Sequence, residues 1–333
     1  MAGVSKGTVD RVLHNRGKVS KEAFGKIDRI LKEIDFKPNP IAKNLKNNRT
    51  YIIDVLLPDP AQDSFWIPVS KGIVTAAKEF NPFGVLVKKY FYDPDDKFSF
   101  LEKSEKAIRS NPDALIIVPI FLNESQKILK TCIKANIIPI MFNNPLNTLK
   151  DYLFIGQDLM QSGRAAAGLM DKIIGENDKM AIIHINIEPH MRLKENGFKE
   201  FFAENRNGNR IVATALFETA EKSAFTREVS LFIKGNPEIT AFYITNSKAY
   251  LFLEVLQNLG KKETAIIGYD LLNENIEHLK KGQIDFLIHQ KPYRQAYLSI
   301  AYIAEHFLFG KKLPKYEFLP IDIITSENAQ YYI

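Results

Sequence analysis

The 333-residue chain has little of what usually announces a chemistry. Its one cysteine, Cys132, excludes an internal disulfide framework and fits a reducing, cytoplasmic setting. No run of about 18 apolar residues occurs, and the start has no apolar signal core, so no membrane partner is expected. The six histidines are scattered, with no pair at metal-ligand spacing. There is no His-Glu-x-x-His, no phosphate-binding glycine loop and no Gly-x-Ser-x-Gly, so neither metal, cofactor nor catalytic residue is expected. Gly156-Gln157-Asp158 offers only a lone glycine, too little for a nucleotide turn. His184 falls inside an apolar strand and reads as structural.

What is present is apolar residue in quantity and an uneven charge. Hydrophobic residues make up 45% of the chain, ample for large cores, and the length favours two to three domains. Residues 1–50 hold 12 Lys and Arg against 5 Asp and Glu, while the remainder holds 33 against 34. The basic excess therefore belongs to the head, which points to phosphate contacts there.

That head reads as two helices and a tail. Ser5 is placed to cap a helix whose apolar side is Val9, Val12 and Leu13. Its other face carries Lys6, Asp10, Arg11 and His14, with little bulk near the start, as a helix entering a DNA major groove requires. Ser20 caps a second helix with Ala23, Ile27, Ile30, Leu31 and Ile34 on its core side, and Pro38 and Pro40 stop it.

These residues resemble the head of the LacI/GalR family of bacterial transcription regulators. Ala2-Gly3-Val4-Ser5, Thr8-Val9, Arg11-Val12, Val19-Ser20, Phe36-x-Pro38-Asn39 and Ala42-x-x-Leu45 fall in order where the family pattern puts them. The resemblance implies operator DNA as partner, with Ser5, Lys6, Thr8, Arg11, His14 and Asn15 on the DNA side. It also implies a hinge helix in which Asn39 caps, Ala42 packs against a second copy and Leu45 wedges between base steps. Seven residues are too few to hold that helix alone, so it is expected to fold on DNA. The family's head begins with a further helix before Ala2. The expectation is that an earlier start supplies it, and that without it the head does not bind DNA competently.

From Tyr51 onward, continuous apolar strands alternate with amphipathic helices in two successive rounds, the sign of parallel sheets covered on both faces. The order resembles the type I periplasmic sugar-binding fold, which the same family uses as its sensor. The expected fold class is therefore α/β: two doubly wound parallel-sheet lobes behind a small, partial, all-α helix-turn-helix head. Residues 1–50 form the head and hinge. Residues 51–333 form the sensor, with one lobe from about 51–157 and 289–319 and the other from about 158–288 and 320–333.

In open α/β sheets, ligands bind at the carboxyl ends of strands. There stand Asp63, Phe65 and Trp66, the last the only tryptophan, whose rings can stack on a sugar's C–H face. Asn143, Asn246, Gly268-Tyr269-Asp270 and Gln290-x-Pro292 occupy similar places, each able instead to be a cap or surface residue. Where the family usually carries arginine, three residues before Gly197, this chain has Lys194, and Arg192 stands nearby as a substitute. Asp270 is expected to be an exposed cleft carboxylate whose removal abolishes ligand binding and spares the fold. Together the two resemblances imply a regulator that binds operator DNA as a homodimer, under control of a small effector, in that family a sugar. A neutral polyol suits the cleft, with an acidic or phosphorylated sugar as the variant Arg192 and Lys194 leave open. The alternative is a sugar sensor or transport binding protein without DNA binding.

Overall fold

The structure, a computed structural model, describes residues 3–13, 17–34, 49–146, 152–187, 190–204, 208–261 and 264–333. Two helices come first, α1 (Lys6–Leu13) and α2 (Lys21–Glu33). Ser5 closes the first turn of α1, its Oγ accepting from Thr8 N at 3.2 Å, and Ser20 Oγ accepts from Ala23 N at 3.3 Å. Of the described head residues only Ile27 is buried. Val9, Val12 and Leu13 are half-buried, and Phe24 and Ile34 stand 48% and 55% exposed. The core side expected of α2 thus stops short of Ile34, which sits at the helix's C-cap. His14, Asn15, Asn39, Ala42 and Leu45, and with them the hinge, lie outside the described residues.

The first sheet contains β1 (Tyr51–Pro58), β2 (Val85–Tyr92), β3 (Ala114–Ile117), β4 (Ile138–Phe142), β5 (Leu153–Gly156) and β11 (Tyr316–Phe318), in the order β11-β5-β4-β3-β1-β2. The second contains β6 (Lys179–Ile185), β7 (Ile211–Phe217), β8 (Ile239–Ile244), β9 (Ala265–Tyr269), β10 (Phe286–His289) and β12 (Asp322–Ile324), in the order β12-β10-β9-β8-β6-β7. All neighbours run parallel except β10 and β12. Strands such as β3 are buried along their whole length, as helices on both faces require.

On the first sheet, α3 (Trp66–Phe80) and α11 (Pro292–Phe309) cover one face around Val69, Ile73, Ala296 and Ile300. The other face packs Phe100 of α4 (Lys97–Arg109) and Ile128 and Cys132 of α5 (Leu122–Lys134) against Leu56, Leu115 and Ile117. On the second sheet, α6 (Leu159–Ile173) and α7 (Met191–Glu204) cover one face. The opposite face is covered by α8 (Lys222–Gly235), α9 (Ala249–Asn258) and α10 (Asn273–Lys280). In each sheet the strand order reverses beside one strand, β1 in the first and β6 in the second. That reversal is what opens a crevice at the strands' carboxyl ends.

Candidate functional site: a cleft between two sheets

The carboxyl ends of both sheets face one cleft of about 280 Å³. From the first sheet come the loop after β1 (Gln62 to Trp66), Pro94 and Asp95 after β2, Ile120 after β3, and Asn143 after β4. From the second come Asn186, Ile187 and His190 after β6, Thr219 after β7, and Asn246, Ser247, Lys248, Tyr250 and Leu251 after β8. Asp270 and Leu272 follow β9, and Gln290 follows β10. The volume sits at the low end of small-molecule sites and suits one sugar ring better than a chain of them.

Several of these residues are aimed by the backbone itself. Asn143, Asn186 and Asp270 each follow a strand with φ of 69°, 60° and 61°. Asn and Asp tolerate this left-handed turn because their short polar side chains bond locally. Each chain leaves its strand sharply there, at the rim of the cleft. Asn186 Oδ1 accepts from Thr219 N (2.8 Å) and Oγ1 (3.0 Å), locking two strand ends together. Asn246 donates to Ile185 O at 2.6 Å.

Phe65 and Trp66 line the cleft and belong to the first lobe's core at once, packed edge to face with centroids 4.8 Å apart. Asp63 Oδ1 accepts from Phe65 N at 2.9 Å, which fixes the turn that brings both rings in.

Asp270 departs from expectation. It is 2% exposed, and its two oxygens accept from Gln290 N (3.1 Å) and Gln290 Nε2 (2.6 Å). Burial pushes its carboxyl above the usual range, opposed by His289, Lys194 and the Gln290 bonds. It is therefore a structural carboxylate as well as a cleft one. The expectation of an exposed cleft carboxylate is thus corrected, and removing Asp270 leaves buried donors without their acceptor.

Arg192 and Lys194 also depart. Both lie on α7, but Arg192 is exposed and neither lines the cleft. Lys194 is fully buried, donates to Thr245 O at 3.0 Å and sits 3.5 Å from the centre of the Tyr269 ring. The cause is the crossing of α6 and α7. A Cβ at Gly163 would strike the backbone of Lys194, and one at Gly197 would strike the carbonyl of Met160. Helices that close hold Lys194 against Tyr269, whose hydroxyl bonds Ser162 Oγ (2.9 Å) and Tyr243 (2.8 Å).

In its place His190 reaches the cleft, buried and held well below the usual histidine range by burial, then by Lys194 and His184. It is a neutral imidazole at pH 7. His184 sits behind it, bonded to Thr245 Oγ1 (2.8 Å) and Glu195 Oε2 (2.9 Å), the structural role its strand position implied. Among the lining residues the sequence reading missed, Asn186, His190 and Thr219 follow β6 or β7, while Asp95 follows β2 and Lys248 and Tyr250 follow β8. An asparagine directly after an apolar strand was the available signal for the first.

In the head, Lys6 and Arg11 are exposed on α1. Ser5 is spent on its own helix, bonding Thr8 Oγ1 at 2.9 Å besides the cap. Arg11 also borders a shallow groove with Val12, Gly17, Lys18, Lys21 and Phe24.

Two lobes closing on a polar cleft with aromatic residues define a small-molecule receptor. Residues 53–312 match the periplasmic binding protein domain family, and residues 1–39 match the bacterial regulatory proteins of the lacI family. The chain belongs to the periplasmic binding protein domain family and, with its lacI-type head, is a LacI-family transcriptional regulator. It is similar to the sucrose operon repressor of Streptococcus mutans, 22% identical over 99% of this chain and 97% of that one. A ribose operon repressor of Lactococcus lactis is 41% identical over 78 residues, 23% of this chain and only 24% of that relative. Among solved structures, one described as a LacI transcriptional regulator from Bacteroides fragilis superposes with a TM-score of 0.80 at 27% identity. It covers 86% of this chain and all of its own.

Proposed function

We propose that this regulator binds operator DNA through α1 and takes a neutral, monosaccharide-sized polyol in its cleft as effector. One observation carries the second half: Phe65 and the only tryptophan face a wall of Asn246, Asp270, Thr219 and a neutral His190. Aromatic faces suit the C–H side of a sugar ring, and amides, hydroxyls and a carboxylate suit its hydroxyls. The names of the relatives, repressors of sucrose and ribose operons, support a sugar. With Arg192 outside and Lys194 turned inward, no guanidinium lines the cleft among the described residues, and Lys248 stands there with the carboxylates of Asp63, Asp95 and Asp270, a balance that favours a neutral sugar over an acidic or phosphorylated one. Calorimetry of the full chain over matched neutral, acidic and phosphorylated sugars tests this, and tightest binding by an anionic member would overturn it.

The lobes divide at about 51–157 with 289–319, and 158–288 with 320–333, and effector binding draws them together. The exposed apolar strip of Ile67, Val74 and Tyr293 along α3 and α11, next to Pro60, supports a homodimer, with sedimentation velocity as its check. The protein works by binding and not by catalysis, in the cytoplasm. Among the described residues no helix is long and apolar enough to cross a membrane. The lacI-family match over 1–39 disfavours the rival reading of a transport binding protein.

A further inference from the structure

The chain passes between the two sheets three times: after β5, after β10, and between β11 and β12. Gln157 stands on the first of these crossings and is 2% exposed. Its Nε2 donates to His289 O at the end of β10, where the second crossing begins (3.1 Å), and to Pro320 O on the third (2.9 Å). Both neighbours are carbonyl oxygens, so only the amide nitrogen can face them. The other ties are pairwise: Leu319 N donates to Gly156 O at 2.7 Å, and Lys291 Nζ meets Asp322 Oδ2 at 2.8 Å. Of these contacts only the Gln157 amide joins all three crossings. Gln157 Oε1 is buried with no hydrogen-bond partner among the described residues. The side chain is thus held from its donor side, tying the crossings to one another without bolting its oxygen to either sheet.

We propose that Gln157 is the pin on which the two lobes turn, a positioning residue that fixes the spacing of the three crossings and so sets how far the cleft opens. The second crossing passes directly from His289 into Gln290, which holds Asp270 in the cleft. A change of spacing at the pin therefore reaches the effector wall through one residue. The inference rests on the proposed reading in one respect only: closure of the cleft is then the signal.

The test needs no sugar. Spin labels on Lys130→Cys and Arg227→Cys, exposed positions on opposite lobes, report interlobe distance in the full chain, native Cys132 being fully buried. Gln157→Leu, which removes the donor, is expected to shift the mean separation by several ångström or to broaden its distribution about twofold. Gln157→Asn, whose shorter amide cannot span both carbonyls, is expected to give a smaller change of the same kind, and it carries the test if the leucine variant does not fold. The Leu319 amide should exchange about tenfold faster in either variant while core amides of β1 are unchanged. A side chain that only stabilised the fold would lower the unfolding midpoint and leave the distance distribution where it was. A distribution coinciding with the parent's in a folded variant overturns the proposal. Because the measurement is made without ligand, its failure would leave the effector reading standing, and a failed sugar titration would leave the pin standing.

Discussion

The first lobe brings the rings of Phe65 and Trp66 to the cleft beside Asp63, Asp95 and Asn143, while the second brings amides, a hydroxyl, a buried imidazole and a buried carboxylate beside Tyr250 and Leu251. The two walls are built by different means. The aromatic wall is the open end of a hydrophobic core, with Trp66 packed into the same cluster as Val69 and Ile73. The polar wall is a hydrogen-bonded net in which Asp270, Gln290, Gln295 and Asn246 hold strand ends in place. A wall made from core cannot change without loss of stability. A wall made from a net can change its selectivity, at the expense of whichever partner is left unpaired.

The largest effect should come from breaking the aromatic wall. Trp66→Ala empties a site only 5% exposed. It is expected to destabilise the protein by about 3–5 kcal/mol, read as a fall in the thermal midpoint, besides abolishing effector binding. Trp66→Phe should retain most of the stability, and equal damage from both would separate the core role from the ring's size.

Next comes the polar wall. Asp270→Ala should lose effector affinity and also cost about 1–3 kcal/mol, because Gln290 N and Nε2 are left buried without their acceptor. An unchanged unfolding midpoint would mean that the net relaxes and that the contrast between the walls is overstated.

A smaller, pH-dependent effect should sharpen the comparison. His190 and His184 are both held below the usual 6.5, chiefly by burial, so the unfolded chain binds more protons than the native one once pH falls below that value. Their stability contribution is complete above 6.5 and is lost as pH drops through the window beneath it. Denaturation monitored from pH 7 down to about pH 5 should show progressive destabilisation, and His190→Gln should flatten the slope. A slope unaltered by that substitution would assign the loss elsewhere.

The smallest effect expected is that of Arg192→Ala, an exposed position away from the cleft, which should leave stability and effector affinity within about 0.5 kcal/mol of the parent. The head offers its own contrast. Arg11→Ala should reduce binding to operator far more than to random DNA if Arg11 reads bases, and equally if it grips phosphate.

Much of this was legible from residue order. Apolar runs closed by Asp, Asn or Gln marked the strand ends, and so Asp63, Asn143, Asn246, Asp270 and Gln290 were placed at the cleft that the strands build. Lys194 and Arg192 were misplaced because spacing along a helix does not reveal how near the next helix lies. The Gly163–Gly197 approach settles that, and it involves residues 34 apart in sequence whose pairing no local pattern announces. β11 and β12 escaped notice because each has three residues and exists only by pairing with a sheet built elsewhere in the chain. Helix α10, eight residues long, was missed for a similar reason: its fold is held by Asn275, which donates to Ser247 O and Tyr269 O and accepts from Tyr250 N, and not by a long amphipathic repeat.

Because Trp66 is both the only tryptophan and part of the cleft wall, its fluorescence reports the cleft directly. Titrating the full chain with matched neutral, acidic and phosphorylated sugars tests the two-walled effector site most simply. A saturable change with a neutral sugar, weakened in Asp270→Asn and insensitive to Arg192→Ala, is the predicted result. A response confined to anionic sugars, or one that Asp270→Asn leaves untouched, would contradict it.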